Sequence, residues 1–215
     1  MKTPLKPFIG ALALTVACMT DPIAPHALAD STSDPHALHH HMMMQGDMMK
    51  EPTTRSTADY NLPRLSLVRA DGKTVSLPDE LNDGRAVVLN FIFTTCTAIC
   101  PLTSRIFSQL QSKLGNDQNK VHLVSISIDP EQDTPSVLRE YAKKFGAGKE
   151  WQFYTGTVEA SIATQRAFNV YRGDKMNHTP VTLLRAAPGK PWIRIEGFAT
   201  ADELLHEFRE MVASK

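Results

Sequence analysis

The sequence predicts an α/β domain, a mixed β-sheet flanked by helices with a β-hairpin ahead of it. Residues 86–93 and 121–128 are short runs rich in β-branched and apolar side chains, the pattern of strands buried on both faces. Between and after them, apolar residues recur at helical spacing. Strands alternating with helices, followed by a hairpin and a last helix, describe a sheet between helical layers.

In chain order, the globular part is expected to begin near Tyr60, and residues 60–215 form one domain. Residues 65–68 and 75–77, separated by Asp71-Gly72, read as a hairpin. After the 86–93 strand, Leu102, Ile106, Leu110 and Leu114 mark a helix that ends at Gly115. Its first turn lies near Cys100, because Pro101 lacks an amide hydrogen and is tolerated only at a helix start. The 121–128 strand runs into Asp129-Pro130, and Thr134-Pro135 opens a second helix with Thr134 as its cap. Residues 151–154 form a strand, 158–170 a helix, 180–184 and 192–195 a hairpin around Pro188-Gly189, and 201–212 the closing helix.

The chain has 215 residues, with 23 Lys plus Arg against 23 Asp plus Glu, mixed along its length. That balance excludes a nucleic-acid or anionic-membrane surface. Residues 1–29 read as a signal peptide: a basic start, an apolar run from Phe8 to Met19 too short to span a bilayer, and an Ala27-Leu28-Ala29 cleavage site. The expected location is the bacterial periplasm. Cys18, after Val16-Ala17, is a competing site at which the chain would be lipid-anchored, the one route by which it would meet a membrane.

Residues 30–59 carry His36, His39, His40, His41, Met42, Met43, Met44, Met48 and Met49 but few other large apolar side chains. The segment is expected to be disordered without ligand. Imidazole suits Cu(II), Zn(II) and Ni(II), whereas thioether favours Cu(I), so the mixture points to copper.

Cleavage after Ala29 leaves two cysteines, Cys96 and Cys100, at the junction between a strand and a helix. Amides at a helix N-terminus favour negative charge and lower a thiol's pKa, so a reactive thiolate fits there. A structural disulfide closing so short a loop would contribute only about 2 kcal/mol. In an oxidising compartment, an isolated close pair reads as a redox or metal device.

Four features together resemble the SCO/SenC family: the cysteine pair after a core strand, Ser127-Ile128-Asp129-Pro130 ending another, the Asp133-Thr134-Pro135 helix start, and Asn177-His178-Thr179 before a strand. The resemblance covers about residues 60–212. It implies a thioredoxin-like fold with an extra N-terminal hairpin, and copper handling with thiol redox chemistry. The implied partner is a copper-receiving or disulfide-bearing client such as cytochrome c oxidase subunit II. It also implies that Cys96, Cys100 and His178 are the metal ligands. Two thiolates suffice for Cu(I), and Cu(II) gains from imidazole nitrogen. Pro180 stands where thioredoxin-like proteins place a cis-proline facing the cysteines, and Asp129 is an accessory candidate that could order the site or bond its histidine. Thr95 and Pro180-Val181 depart from the family's usual residues, which bears on the client more than on the fold.

The thiols alone leave other chemistry open. Cys96 could attack and Cys100 resolve in a general thiol-disulfide oxidoreductase that needs no metal. A thiol peroxidase is the third reading, weakened by Phe93 at the third position before Cys96.

Overall fold

The computed structural model describes residues 52–214. Its eight strands are β1 (Thr54–Ala58), β2 (Ser66–Arg69), β3 (Thr74–Ser76), β4 (Ala86–Ile92), β5 (Val121–Ser127), β6 (Trp151–Thr155), β7 (Val181–Arg185) and β8 (Trp192–Glu196). The helices are α1 (Leu77–Leu81), α2 (Ile99–Leu114), α3 (Pro135–Lys144), α4 (Val158–Ala167) and α5 (Ala201–Ala213). All eight strands join in one sheet of order β1-β8-β7-β4-β5-β6-β2-β3. The core β4, β5 and β6 are parallel, and every other pairing is antiparallel.

Every residue of β4 and of β5 is buried, which is why both read as unbroken apolar runs rather than alternating ones. Successive side chains nonetheless point to opposite faces. Val88 and Leu123 pack with Phe107, Leu110, Leu204 and Phe208 of α2 and α5. Val87, Leu89 and Phe91 join Phe168, Leu67 and Trp192 on the other face. The helix starts follow their caps: Thr134 accepts from the Val137 amide at 3.4 Å, and Thr200 and Glu203 form a reciprocal capping box.

Three features depart from the sequence reading. Leu77 opens the short helix α1 instead of extending the hairpin strand, with Pro78 in its first turn. Helix α4 stops at Ala167, short of Val170, because Asn169 takes a left-handed conformation, φ 55°. The third concerns the domain boundary. Strand β1 lies ahead of residue 60, inside the stretch expected to be disordered, and pairs with β8 from Thr54↔Glu196 to Ala58↔Trp192. Four of its five side chains are exposed, so backbone hydrogen bonds rather than apolar burial hold it, and no hydrophobic periodicity announces it. The segment with its histidines and methionines, residues 36–49, lies outside the described residues.

A chain starting at residue 60 would therefore leave the β8 edge unpaired. It should unfold at a midpoint about 5 °C below one starting at residue 52, measured by circular dichroism. Equal midpoints would show that β1 contributes no stability.

Candidate metal-binding site

The cysteine pair is set by what happens at the end of β4. The Cys96 amide donates to the Phe93 carbonyl at 3.2 Å, closing a turn that returns the chain toward the start of α2. The Cys100 amide, in the first turn of that helix, donates to Cys96 Sγ at 3.3 Å. The Phe93 amide donates to Cys100 Sγ at 3.4 Å. Both cysteines are free thiols, Cys96 half-buried and Cys100 fully buried.

This geometry splits the two thiols electrostatically. Cys96 receives the Cys100 S–H and the amides of Cys100, Ala98 and Ile99, which outweigh the opposing effect of burial and bring its pKa from 9.0 down to about 5. Cys100, whose hydrogen is spent on Cys96 and whose sulfur is desolvated, is pushed up instead. One sulfur is a standing nucleophile or ligand, and the other holds its proton until something replaces it.

The turn is held from the β5 side by Asp133. Its carboxylate, itself without solvent exposure, accepts from the Thr94 amide at 3.2 Å, from the Thr94 hydroxyl, and from the buried Ser127 Oγ at 2.6 Å. Burial pushes the Asp133 carboxyl up, and the hydrogen bonds from Ser127 and Thr94 oppose that rise. The sequence reading assigned this residue only to the start of α3.

His178 follows a 3-10 turn, Lys175–Asn177, just before β7. Lys175 Nζ reaches Asp129 Oδ2 at 2.5 Å and lies 5.7 Å from the centre of the Phe93 ring, pinning the turn. The His178 ring is buried and meets the Phe93 ring edge-on at 6.5 Å between centres. Burial lowers its pKa, with the Phe91 backbone opposing, which favours the neutral imidazole. A neutral imidazole keeps one ring nitrogen as an acceptor, the form in which histidine binds metal.

Cys96 and His178 line the same cleft of about 200 Å³, with Phe93, Thr95, Lys175 and Met176. The donors share a cleft without being gathered: among the described residues, no three His, Cys, Asp or Glu side chains are close enough to hold a metal ion as they stand. Asp129 does not bond His178. Its carboxylate pairs with Lys175, in the turn just ahead of the histidine. Pro180 stands two residues after His178, its carbonyl accepting from the Gly197 amide at 3.0 Å. Residues the sequence reading did not single out for the site are Thr94, Ser127, Lys175 and Met176. Their roles rest on contacts between distant segments, for which a sequence carries no local signal.

Comparisons with known proteins agree on one family. The SCO1/SenC family model matches residues 53–213. The "SCO1 protein homolog" of Bacillus subtilis is 33% identical over 118 residues, covering 54% of this chain and 58% of that protein. The chain thus spans little more than half the length of such curated relatives. Among solved structures, copper-bound ScoI of Arabidopsis thaliana has TM-score 0.60 and 27% identity, covering 70% of this chain and 97% of its own. BsSco, described through a disulfide switch in a member of the Sco family of cytochrome c oxidase assembly proteins, has TM-score 0.62 and 26% identity, covering 75% and 99%.

The thiol asymmetry has a pH signature. Thiolate absorbance of the reduced protein should titrate with a midpoint of about 5, and Cys96 alone should be alkylated at pH 7. Because the Cys96 pKa falls on folding, from 9.0 to about 5, its ionisation stabilises the fold fully above pH 9.0 and not below about 5. Relative to Cys96→Ser, the reduced protein should lose stability as pH falls through that window. A parallel pH dependence in the two proteins would count against the depressed thiol.

Proposed function

From the chain's membership of the SCO1/SenC family, we propose that it is an exported copper-handling protein that delivers copper to, or reduces the cysteines of, a copper enzyme such as cytochrome c oxidase. The observation that carries this reading is the donor set at one cleft. A thiolate of lowered pKa, the Cys100 sulfur one helical turn behind it and an imidazole held toward its neutral form lie at the end of the core strands. Copper is the cargo that suits these donors. Cu(I) is soft and accepts two thiolates, and Cu(II) gains from the harder nitrogen of His178. The copper in the Arabidopsis relative and the assembly role of BsSco support the same reading.

The separated donors suit cargo better than a resident ion, since a site that must gather its ligands around the metal can also release them. The client we propose is cytochrome c oxidase subunit II, and the location the periplasm, with cleavage after Ala29 or lipidation at Cys18. The segment up to residue 51, with His36 to Met49, is proposed to collect copper for the folded site. Ligands on the same chain as the site raise the local concentration of metal to roughly millimolar.

The same thiols support a second reading, favoured by the opposite shifts of their pKa values. A low-pKa sulfur that attacks beside a protonated one that resolves is the arrangement of a thiol-disulfide oxidoreductase. Metal uptake separates the two.

The reduced mature chain should bind one copper tightly at the folded site. Cys96→Ser or Cys100→Ser should abolish tight Cu(I) binding, and His178→Ala should weaken Cu(II) at least about tenfold more than Cu(I). Equilibrium competition with chelators of known affinity measures all three. Disulfide reduction without tight copper uptake would hand the site to the oxidoreductase reading.

Deleting residues 30–51, which spares β1, should leave the folded site's affinity unchanged but slow its loading when free copper is scarce. Indistinguishable stopped-flow loading rates would reduce the tract to a linker.

A further inference from the structure

Met176 is 73% exposed, against 38% for Val137 and 40% for Val158, the other exposed large apolar side chains among the described residues. It stands in the 3-10 turn before His178 and lines the cleft of Cys96 and His178. Its backbone is not free to wander. The Met176 amide donates to Asp174 Oδ1 at 2.8 Å, and neighbouring Lys175 is paired with Asp129 at 2.5 Å. The turn therefore presents a thioether to solvent from a fixed point at the cleft, where it adds nothing to the core.

Thioether sulfur is soft and neutral and binds without losing a proton, so it accepts Cu(I) at any pH and competes poorly for harder ions. It also binds Cu(I) more weakly than a thiolate does, so an ion arriving at Met176 moves downhill to Cys96. We propose that Met176 is a further Cu(I) ligand, the thioether that takes the ion at the cleft from a methionine-ligated donor and passes it to Cys96. This rests on the copper reading above and adds the route of entry.

The exchange balances without redox chemistry. A copper–sulfur bond to Met176 forms as one to the donor's thioether breaks. The Cys96 thiolate then displaces Met176. Cys100 Sγ bonds the ion as its proton leaves to bulk water, and copper remains Cu(I) throughout.

The test is Met176→Leu in the mature chain, a swap of similar volume without sulfur at an exposed position, with an unchanged circular dichroism spectrum as the check on folding. The probe is Cu(I) bound to a model peptide whose only ligands are methionines, mixed with reduced protein in stopped flow. A Cu(I) complex of an aromatic nitrogen chelator is the control donor. Loading from the peptide should slow about tenfold in the variant, while loading from the chelator stays within about twofold. Affinity at equilibrium should also stay within about twofold, because the final ligands are untouched. Equal peptide loading rates in the two proteins, with one copper still bound per wild-type chain, would overturn the role of Met176 and leave the copper reading standing. So would equal slowing with both donors, which assigns Met176 to the shape of the cleft. Failure of the wild-type chain to take up Cu(I) at all would overturn both.

Discussion

The buried carboxylate of Asp133 is the interaction on which the site depends. A carboxylate with no solvent exposure is tolerated only where hydrogen bonds replace water, and Thr94 and Ser127 supply them. Thr94 belongs to the turn that carries Cys96, Ser127 ends β5, and Asp133 precedes the capping residue of α3. Three segments are thereby fixed to one another at the edge of the parallel strands, and the cysteine turn has a defined position before any metal or client arrives. The network is also one-sided. Truncating Asp133 would leave the buried Ser127 hydroxyl and the part-buried Thr94 hydroxyl and amide without their acceptor, a heavier cost than the loss of a single bond.

From that anchor the two thiols acquire different tasks. Cys96 faces the cleft with helix amides and the Cys100 hydrogen directed at it, while Cys100 sits behind it against the Phe93 amide. The same split serves metal capture and disulfide attack, because both begin with one ready sulfur and finish with a second. His178 is held apart by a turn of its own, anchored through Lys175 to Asp129. Cysteines and histidine thus hang on separate supports that meet at one cleft, and the distance between the supports is a degree of freedom the ligand can use.

How far this was legible in the sequence varied with the range of the contact involved. Strands β4 and β5 and helix α2 were readable because burial on both faces writes continuous apolar runs and because Pro101 and Gly115 punctuate the helix. The cysteine pair and its placement at a helix start were readable for the same local reasons. His178 stood out through its resemblance to a family motif, since a lone loop histidine has no pattern of its own. Asp133 could not be placed, because its partner Thr94 lies 39 residues away and an acid before Thr-Pro looks like helix capping. Strand β1 has no local signal because it is held by its ladder, and of the two roles open to Asp129 the sequence has nothing local to tell whether Lys175 or His178 reaches it.

The direction of β1 has a geometric consequence. Glu196 pairs both with Thr54 and with Val181, so the chain enters the sheet at the end where β7 begins and His178 sits, not at the opposite end. Gly197, at φ 95°, takes a backbone conformation that side chains rarely adopt, lies against Thr53, and bonds the Pro180 carbonyl through its amide. Strand β1 lies three strands from β4, about 14 Å across the sheet. An extended chain covers about 3.5 Å per residue, so four or five residues reach that far. The first described residues of the domain therefore lie at the cleft's end of the sheet. Entry at the other end of the sheet would have added the length of a strand to every approach.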